Sequence, residues 1–344
     1  MKSWLFFFIF LFWETWSYSQ SPSFLHYISR DSAVDLYLKL DWKLLERKKF
    51  DKTYRDAVVQ FFGTHQDTIS LQAKVRTRGH MRLDICSFPP LKLKIEKDDL
   101  ARHKLSNLNE MDVVEHCHNS DADDQLLLKE FMAYKLWELV SPNYFKTQLI
   151  RLHYVNPDGS EAHEPGYSFV KEDVSEMASR LNGRIIKTKV ISRDAVEHTP
   201  FLLTCLFEFM IGNTDWYIPT RHNLEFLGIP GCTLLTAIPY DFDYSGLVNA
   251  PYAVHDPSLN LGESTTRSRY YQGWCESEDA VANQLQIFLK QKDNILAMPS
   301  HIRGLDAKNI KSCTDYLTSF FEIIENPKKL NNQIIRHCDM WPVK

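Results

Sequence analysis

The sequence lacks most of the motifs that announce a function. It has no Cys-x-x-Cys pair, no Gly-x-Ser-x-Gly, no His-Glu-x-x-His and no Walker loop. That removes zinc ribbons, the common hydrolases and P-loop nucleotide binding. No internal repeat and no low-complexity tract occurs. Basic residues are not in excess: 40 Lys and Arg stand against 44 Asp and Glu, for a net charge of -4. A nucleic-acid binder would carry a basic patch. Beyond the N-terminus no segment is apolar enough to span a membrane.

What is present points to a folded, exported chain. A content of 44% hydrophobic and 13% aromatic residues argues for a packed core. Lys2 precedes the apolar run Trp4–Trp13, which ends at Glu14. A bilayer span needs roughly 20 apolar residues, so this run is too short and reads as the core of a signal peptide. Ser17 and Ser19 place small residues around a cleavage site, with Gln20 the expected mature N-terminus. The expected location is periplasmic, cell-surface or secreted. Seven cysteines are irregularly spaced, and the odd count leaves at least one thiol free. Cys205 lies in an apolar helical run and reads as a buried thiol; one or two bridges fit an oxidising compartment.

Along the chain the period of the apolar residues changes. Leu71–Arg78 alternates as a half-buried strand does, and Pro89-Pro90 opens a second alternating strand, Leu91–Glu96. Asp124–Val140 is predicted as a helix, led in by acidic residues and stopped by Ser141-Pro142. Gln148–Val155 and Gly166–Val170 form a hairpin around Asn156-Pro157-Asp158-Gly159. Pro200–Met210 is an apolar helix. Asn223–Leu227 and Thr233–Ile238 make a second hairpin, and Asp279–Ile295 and Ala307–Ile324 read as helices. The fold class is α+β: a β-rich part over 20–172 with one helix, then a mainly helical part over 173–344.

The densest polar stretch runs from Gly212 to Asp243. It holds Asp215, His222-Asn223 and Asp241-Phe242-Asp243. A hairpin returns its second strand beside its first, so Asp241 is expected near Asn223. Period two in a strand would put Asp241 and Asp243 on one face. Three crowded carboxylates repel, and a hard divalent cation such as Mg2+ or Mn2+ would relieve them. That is the arrangement of a phosphoryl-transfer site: one Asp orients a hydroxyl, an Asn and an Asp hold metal, and a Lys on a strand holds phosphates. Lys92 and Lys94 are the candidate lysines, and Glu130 is the helix glutamate expected to pair with one of them. His116-Cys117-His118 reads as a loop, because adjacent positions project poorly onto one ion.

These residues resemble the CotH kinase family, the spore-coat protein H group of atypical kinases, and specifically divergent exported bacterial members. The resemblance rests on Arg76-Thr77-Arg78-Gly79 leading to Pro89-Pro90-Leu91-Lys92-Leu93-Lys94, the helix Leu126–Leu139, and Pro239-Tyr240-Asp241-Phe242-Asp243. It implies a bilobal kinase-like fold using ATP and a divalent metal to modify a protein hydroxyl. Asp215 would be the catalytic base, and Asn223, Asp241 and Asp243 would bind metal. Lys92, Lys94 and Glu130 would serve the nucleotide. The family's Arg-Gly-Asn-Ser is here Arg-Gly-His-Met, and no glycine-rich loop precedes Lys92. Arg78 and Arg82 would therefore hold phosphates in place of backbone amides. The other function class to carry is a kinase-like surface binding module without turnover.

Overall fold

The computed structural model of the chain describes residues 21–63, 67–255, 259 and 265–338. The signal-peptide reading falls on residues 1–19 and lies outside the described residues. In chain order the first half contains α1 (Phe24–Ile28), β1 (Val34–Lys39), α2 (Trp42–Arg47), β2 (Arg55–Phe62), β3 (Thr68–Thr77), α3 (Met81–Ile85), β4 (Leu91–Ile95), α4 (Lys97–Arg102), β5 (Glu110–Glu115), α5 (Asp121–Val140), β6 (Thr147–Val155) and β7 (Gly166–Glu172).

These seven strands close into a barrel in the order β1-β2-β3-β4-β5-β7-β6. Every junction is antiparallel except the closing one, where β1 runs parallel to β6 from Val34 beside Ile150 to Lys39 beside Val155. Closure removes the exposed edges an open sheet would leave. Strict alternation fills the interior. On β3, Ile69, Leu71, Ala73 and Val75 point in, and on β4, Leu91, Leu93 and Ile95 do. α1 adds Phe24, Leu25 and Ile28 to this core, with the Phe24 ring edge-on to Phe61 at 5.5 Å.

A second core lies outside the barrel. Val114 and Phe169 reach it from the outer faces of β5 and β7. α5 crosses between β5 and β6 and is buried through most of its length, from Leu127 to Val140. Ser120 caps its start by accepting the Asp123 N–H, and three aspartates in the first turn favour the positive end of the helix dipole.

The second half contains α6 (Val174–Arg180), β8 (Arg184–Ile185), α7 (His198–Ile211), β9 (Leu224–Gly228), β10 (Thr236–Pro239), α8 (Glu278–Lys290), α9 (Lys292–His301), α10 (Ala307–Ile324) and α11 (Pro327–Leu330). It is mainly helical, with a small sheet in the order β10-β9-β8. The predicted single helix Asp279–Ile295 is instead α8 and α9, broken at Gln291 and continuing to His301. The break lets Leu285, Phe288 and Ile295 enter the same core. α7 ends at Gly212 in the left-handed region, φ 67°. A β-carbon there would lie 2.0 Å from the Tyr316 hydroxyl, so both conformation and space demand glycine.

Cys86 and Cys117 form a disulfide, joining the end of α3 to the end of β5. Cys205 is a buried free thiol, as its apolar surroundings suggested. The bridge closes a loop across a sequence separation of 31. Loop-closure entropy of that length predicts that Cys86→Ser with Cys117→Ser lowers stability by about 3 to 4 kcal/mol, read from urea unfolding midpoints.

Candidate functional site

The barrel's outer face carries a charged row that faces the second half. The register sets Lys92 on β4 beside Asp112 on β5, and Asp112 beside Lys171 on β7. Asp112 Oδ1 lies 3.3 Å from Lys92 Nζ, and its Oδ2 lies 2.9 Å from Lys171 Nζ. Arg78, just past β3, adds its Nε at 3.4 Å from Asp112 Oδ1. Burial would raise the Asp112 pKa, but Lys171, Arg78 and Lys92 outweigh it and hold the carboxyl well below its ordinary range. Lys92 also donates to Asp173 and is kept charged by Asp112 and Asp173 despite burial. Lys171 sits over the rings of Phe145 and Tyr240, at 4.2 and 5.4 Å, and so ties the barrel to the chain leaving β10.

Glu130 on α5 does not pair with Lys92. Its carboxylate meets Arg82 of α3 at 3.7 Å, while Lys92 is engaged by Asp112 and Asp173. The reason is topological: the row of β4 faces β5 and β7, whereas α5 presents Glu130 to α3. Lys94 lies in the next cross-strand row, half-exposed, and pairs with Glu110 at 3.0 Å. It does not reach the cluster.

The hairpin β9–β10 does bring Asp241 back to Asn223. The Tyr240 N–H donates to the Asn223 carbonyl at 3.1 Å. The Asn223 amide donates to the Asp215 carboxylate at 3.0 Å and to its backbone carbonyl at 2.8 Å. His222 Nε2 lies 2.8 Å from the other Asp215 oxygen. Asn223 and Asp241 both occupy the left-handed region, at φ 52° and 65°. Such strain in non-glycine residues persists only where surroundings over-determine it. For Asp241 the constraint is Tyr134 of α5, whose hydroxyl accepts the Asp241 N–H at 2.9 Å. Among the described residues no hydrogen bond or ion pair engages the Asp241 carboxylate, and its charge helps to keep Arg78 protonated.

Asp215 and Asp241 both act on Asp243 electrostatically, but the expected placing of Asp241 and Asp243 on one strand face is not formed. β10 stops at Pro239, and the left-handed turn at Asp241 cancels the period-two rule. Phe242 is buried against Tyr134 and Phe207, and Asp243 turns inward, where the Tyr252 hydroxyl donates to it at 3.1 Å. Burial, reinforced by Asp241, pushes Asp243 up to about 7, against the pull of Arg82. Among the described residues no three His, Cys, Asp or Glu side chains are grouped to hold a metal ion.

Asp243 borders a small cavity shared with Arg82, Glu115, His116, Glu130 and Tyr252. Arg82 Nε, Glu115 Oε1, His116 Nε2 and Glu130 Oε1 are buried without hydrogen-bond partners. Burial raises Glu130 well above the usual range and pushes Glu115 up to about 8, although Tyr154 donates to Glu115 at 2.6 Å. The segment His116-Cys117-His118 is structural here: Cys117 is bridged, and His116 fills the space above Gly166.

Asp112, Lys171 and Asp173 were not legible as site residues. Only an acid set between the inward-facing Met111 and Val113, opposite a lysine-bearing strand, signals the first of them.

No family model matches the chain, and no curated protein matches it. Among solved structures, the Helicobacter pylori proinflammatory kinase CtkA overlaps 78% of this chain and 95% of its own, at 8% identity and a TM-score of 0.39.

Two outcomes follow from this geometry. Asp112→Asn leaves three cations facing one another in a buried row and is expected to cost about 3 kcal/mol or more in urea unfolding. Glu115 is protonated in both states below about 4.5 and held protonated only in the folded state up to about 8. Its contribution to stability should therefore fall as pH rises through that window, by about 1.4 kcal/mol per pH unit at most, and Glu115→Gln should remove that share of the fall.

Proposed function

We propose that this chain is an exported kinase-like phosphotransferase of the CotH type, moving the γ-phosphoryl group of ATP to a protein hydroxyl with Mg2+ or Mn2+. The observation that carries the reading is Asp241. Its carboxylate is unengaged, its backbone is held left-handed by Tyr134, and it stands beside the Asn223–Asp215 pair opposite Arg78. A general base needs an oriented carboxylate, and Asp215 is oriented by Asn223 and His222.

The donor set fits a metal of low protein-ligand demand. Mg2+ keeps much of its shell as water and substrate oxygens, and one or two carboxylates suffice. Asp241 and the side-chain amide oxygen Oδ1 of Asn223 would hold it, since the Asn223 amide nitrogen is already spent on Asp215. Asp243, protonated below about 7, would join as a charged ligand only above that range. Bound there, the metal would neutralise charge on the transferring phosphates. Arg78 and Lys92 line the opposite wall as phosphate partners, with Lys171 beside them. The proposed division into two lobes falls between the end of β7 and the start of α6. The Cys86–Cys117 bridge supports an oxidising location, and export requires a compartment that supplies nucleotide.

One feature favours the binding-module reading. Asp112 and Asp173 already pair with Lys92, Lys171 and Arg78, so most of that charge is committed within the protein. In that case Asp215→Asn would leave partner binding intact and there would be no transfer to abolish.

Calorimetric titration of ATP with Mg2+, then Mn2+, into the chain starting at Gln20 separates the two. Metal-dependent binding that vanishes in Asp241→Ala is expected. Absence of binding with either metal, from a cooperatively folded protein, overturns catalysis.

A further inference from the structure

Away from the charged row, the segment from Arg180 to Arg193 is one-sided: it has five basic residues and no acidic one. Two of the five are spent, since Arg180 pairs with Glu172 and Arg193 stacks on Trp274 at 4.5 Å. Arg184, Lys187 and Lys189 are exposed, and none has an ion-pair partner among the described residues.

A solvated charge run would be the plain reading of such a segment, but its attachment argues otherwise. Arg221 Nη1 donates to the carbonyls of Ile186 and Thr188, at 2.7 and 2.9 Å. The Ile191 N–H donates to the Pro219 carbonyl at 3.2 Å. All three bonds fasten the basic segment to the loop that carries Asp215, His222 and Asn223. Arg221 precedes His222, which contacts Asp215 directly. Two apolar side chains flank the junction in the open, Tyr217 at 43% and Val190 at 66% exposure. The position beside Asp215 is where an acceptor chain must lie if Asp215 orients its hydroxyl.

Resting on the phosphotransferase reading, we propose that the acceptor is an acidic polypeptide segment, held by Arg184, Lys187 and Lys189 while its hydroxyl residue reaches Asp215. Polypeptide is favoured over nucleic acid or an anionic membrane because both of those need charge spread over a wide face. Here the three cations lie within six positions, a footprint that matches a few carboxylates on a short segment.

The test is fluorescence anisotropy with a labelled peptide of alternating glutamate and serine, beside its glutamine-for-glutamate counterpart, without nucleotide. The chain starting at Gln20 is compared with the combined variant Arg184→Glu, Lys187→Glu, Lys189→Glu. These side chains are exposed, so the thermal midpoint should not move. Expected is binding of the glutamate peptide alone, weakened about tenfold or more by the charge reversal and weakened further by salt. Persistence of that binding in Asp241→Ala, which loses nucleotide under the reading above, supports the surface independently of transfer. Equal binding of the two peptides overturns the proposal, as does binding indifferent to the reversal. Tighter reversal-sensitive binding of a single-stranded oligonucleotide, or of vesicles rich in anionic lipid, also overturns it.

Discussion

The arrangement depends on one buried carboxylate. Asp112 stands between Lys92 and Lys171 in a cross-strand row and is capped by Arg78. A lone charge in that position would be strongly unfavourable, and so would three lysine and arginine groups without it. Each is stable only because the others are there. The row therefore does two things. It makes the outer face of the barrel polar where the apolar interior of β4, β5 and β7 would otherwise have a second greasy side. It also holds three cations at a fixed height above the segment that leaves β10, through Lys171 on Tyr240.

Around that wall, other groups are kept in states they would not adopt in water. Asn223 and Asp241 are bent into the left-handed region, and Glu115, Glu130 and Asp243 are raised by burial. Stability alone would not select such a set, because apolar residues of the same size would cost less. The strain is held by hydrogen bonds from rigid elements: Tyr134 is fixed on a helix buried on nearly all sides, and Asn223 sits at the root of a tight hairpin. The left-handed turn explains why Asp241 and Asp243 point to different surroundings. One faces the basic wall, and the other enters the cavity behind it.

Local elements were largely readable because each is decided by neighbours in sequence. The alternation of Leu71, Ala73 and Val75, the Pro89-Pro90 lead into β4, and the Ser141-Pro142 stop of α5 all act within a few residues. Hairpin logic, equally local, also brought Asp241 to Asn223. The break at Gln291 was missed because nothing within the helix demands it; the need to bury Phe288 and Ile295 together does. The partner of Glu130 was misjudged for a similar reason, since a lysine on a strand and a glutamate on a helix say nothing about which faces meet.

By itself, then, the sequence determined the strands, the helices, the apolar cores they would fill, and the Asp215–Asn223–Asp241 grouping across one hairpin. Only the tertiary structure decided that the seven strands close into a barrel, that Cys86 finds Cys117, and that Lys92, Asp112 and Lys171 become neighbours. Cross-strand adjacency is set by the register between segments far apart in the chain. That register is chosen by burying the inner face of every strand at once, not by any residue in the row it creates.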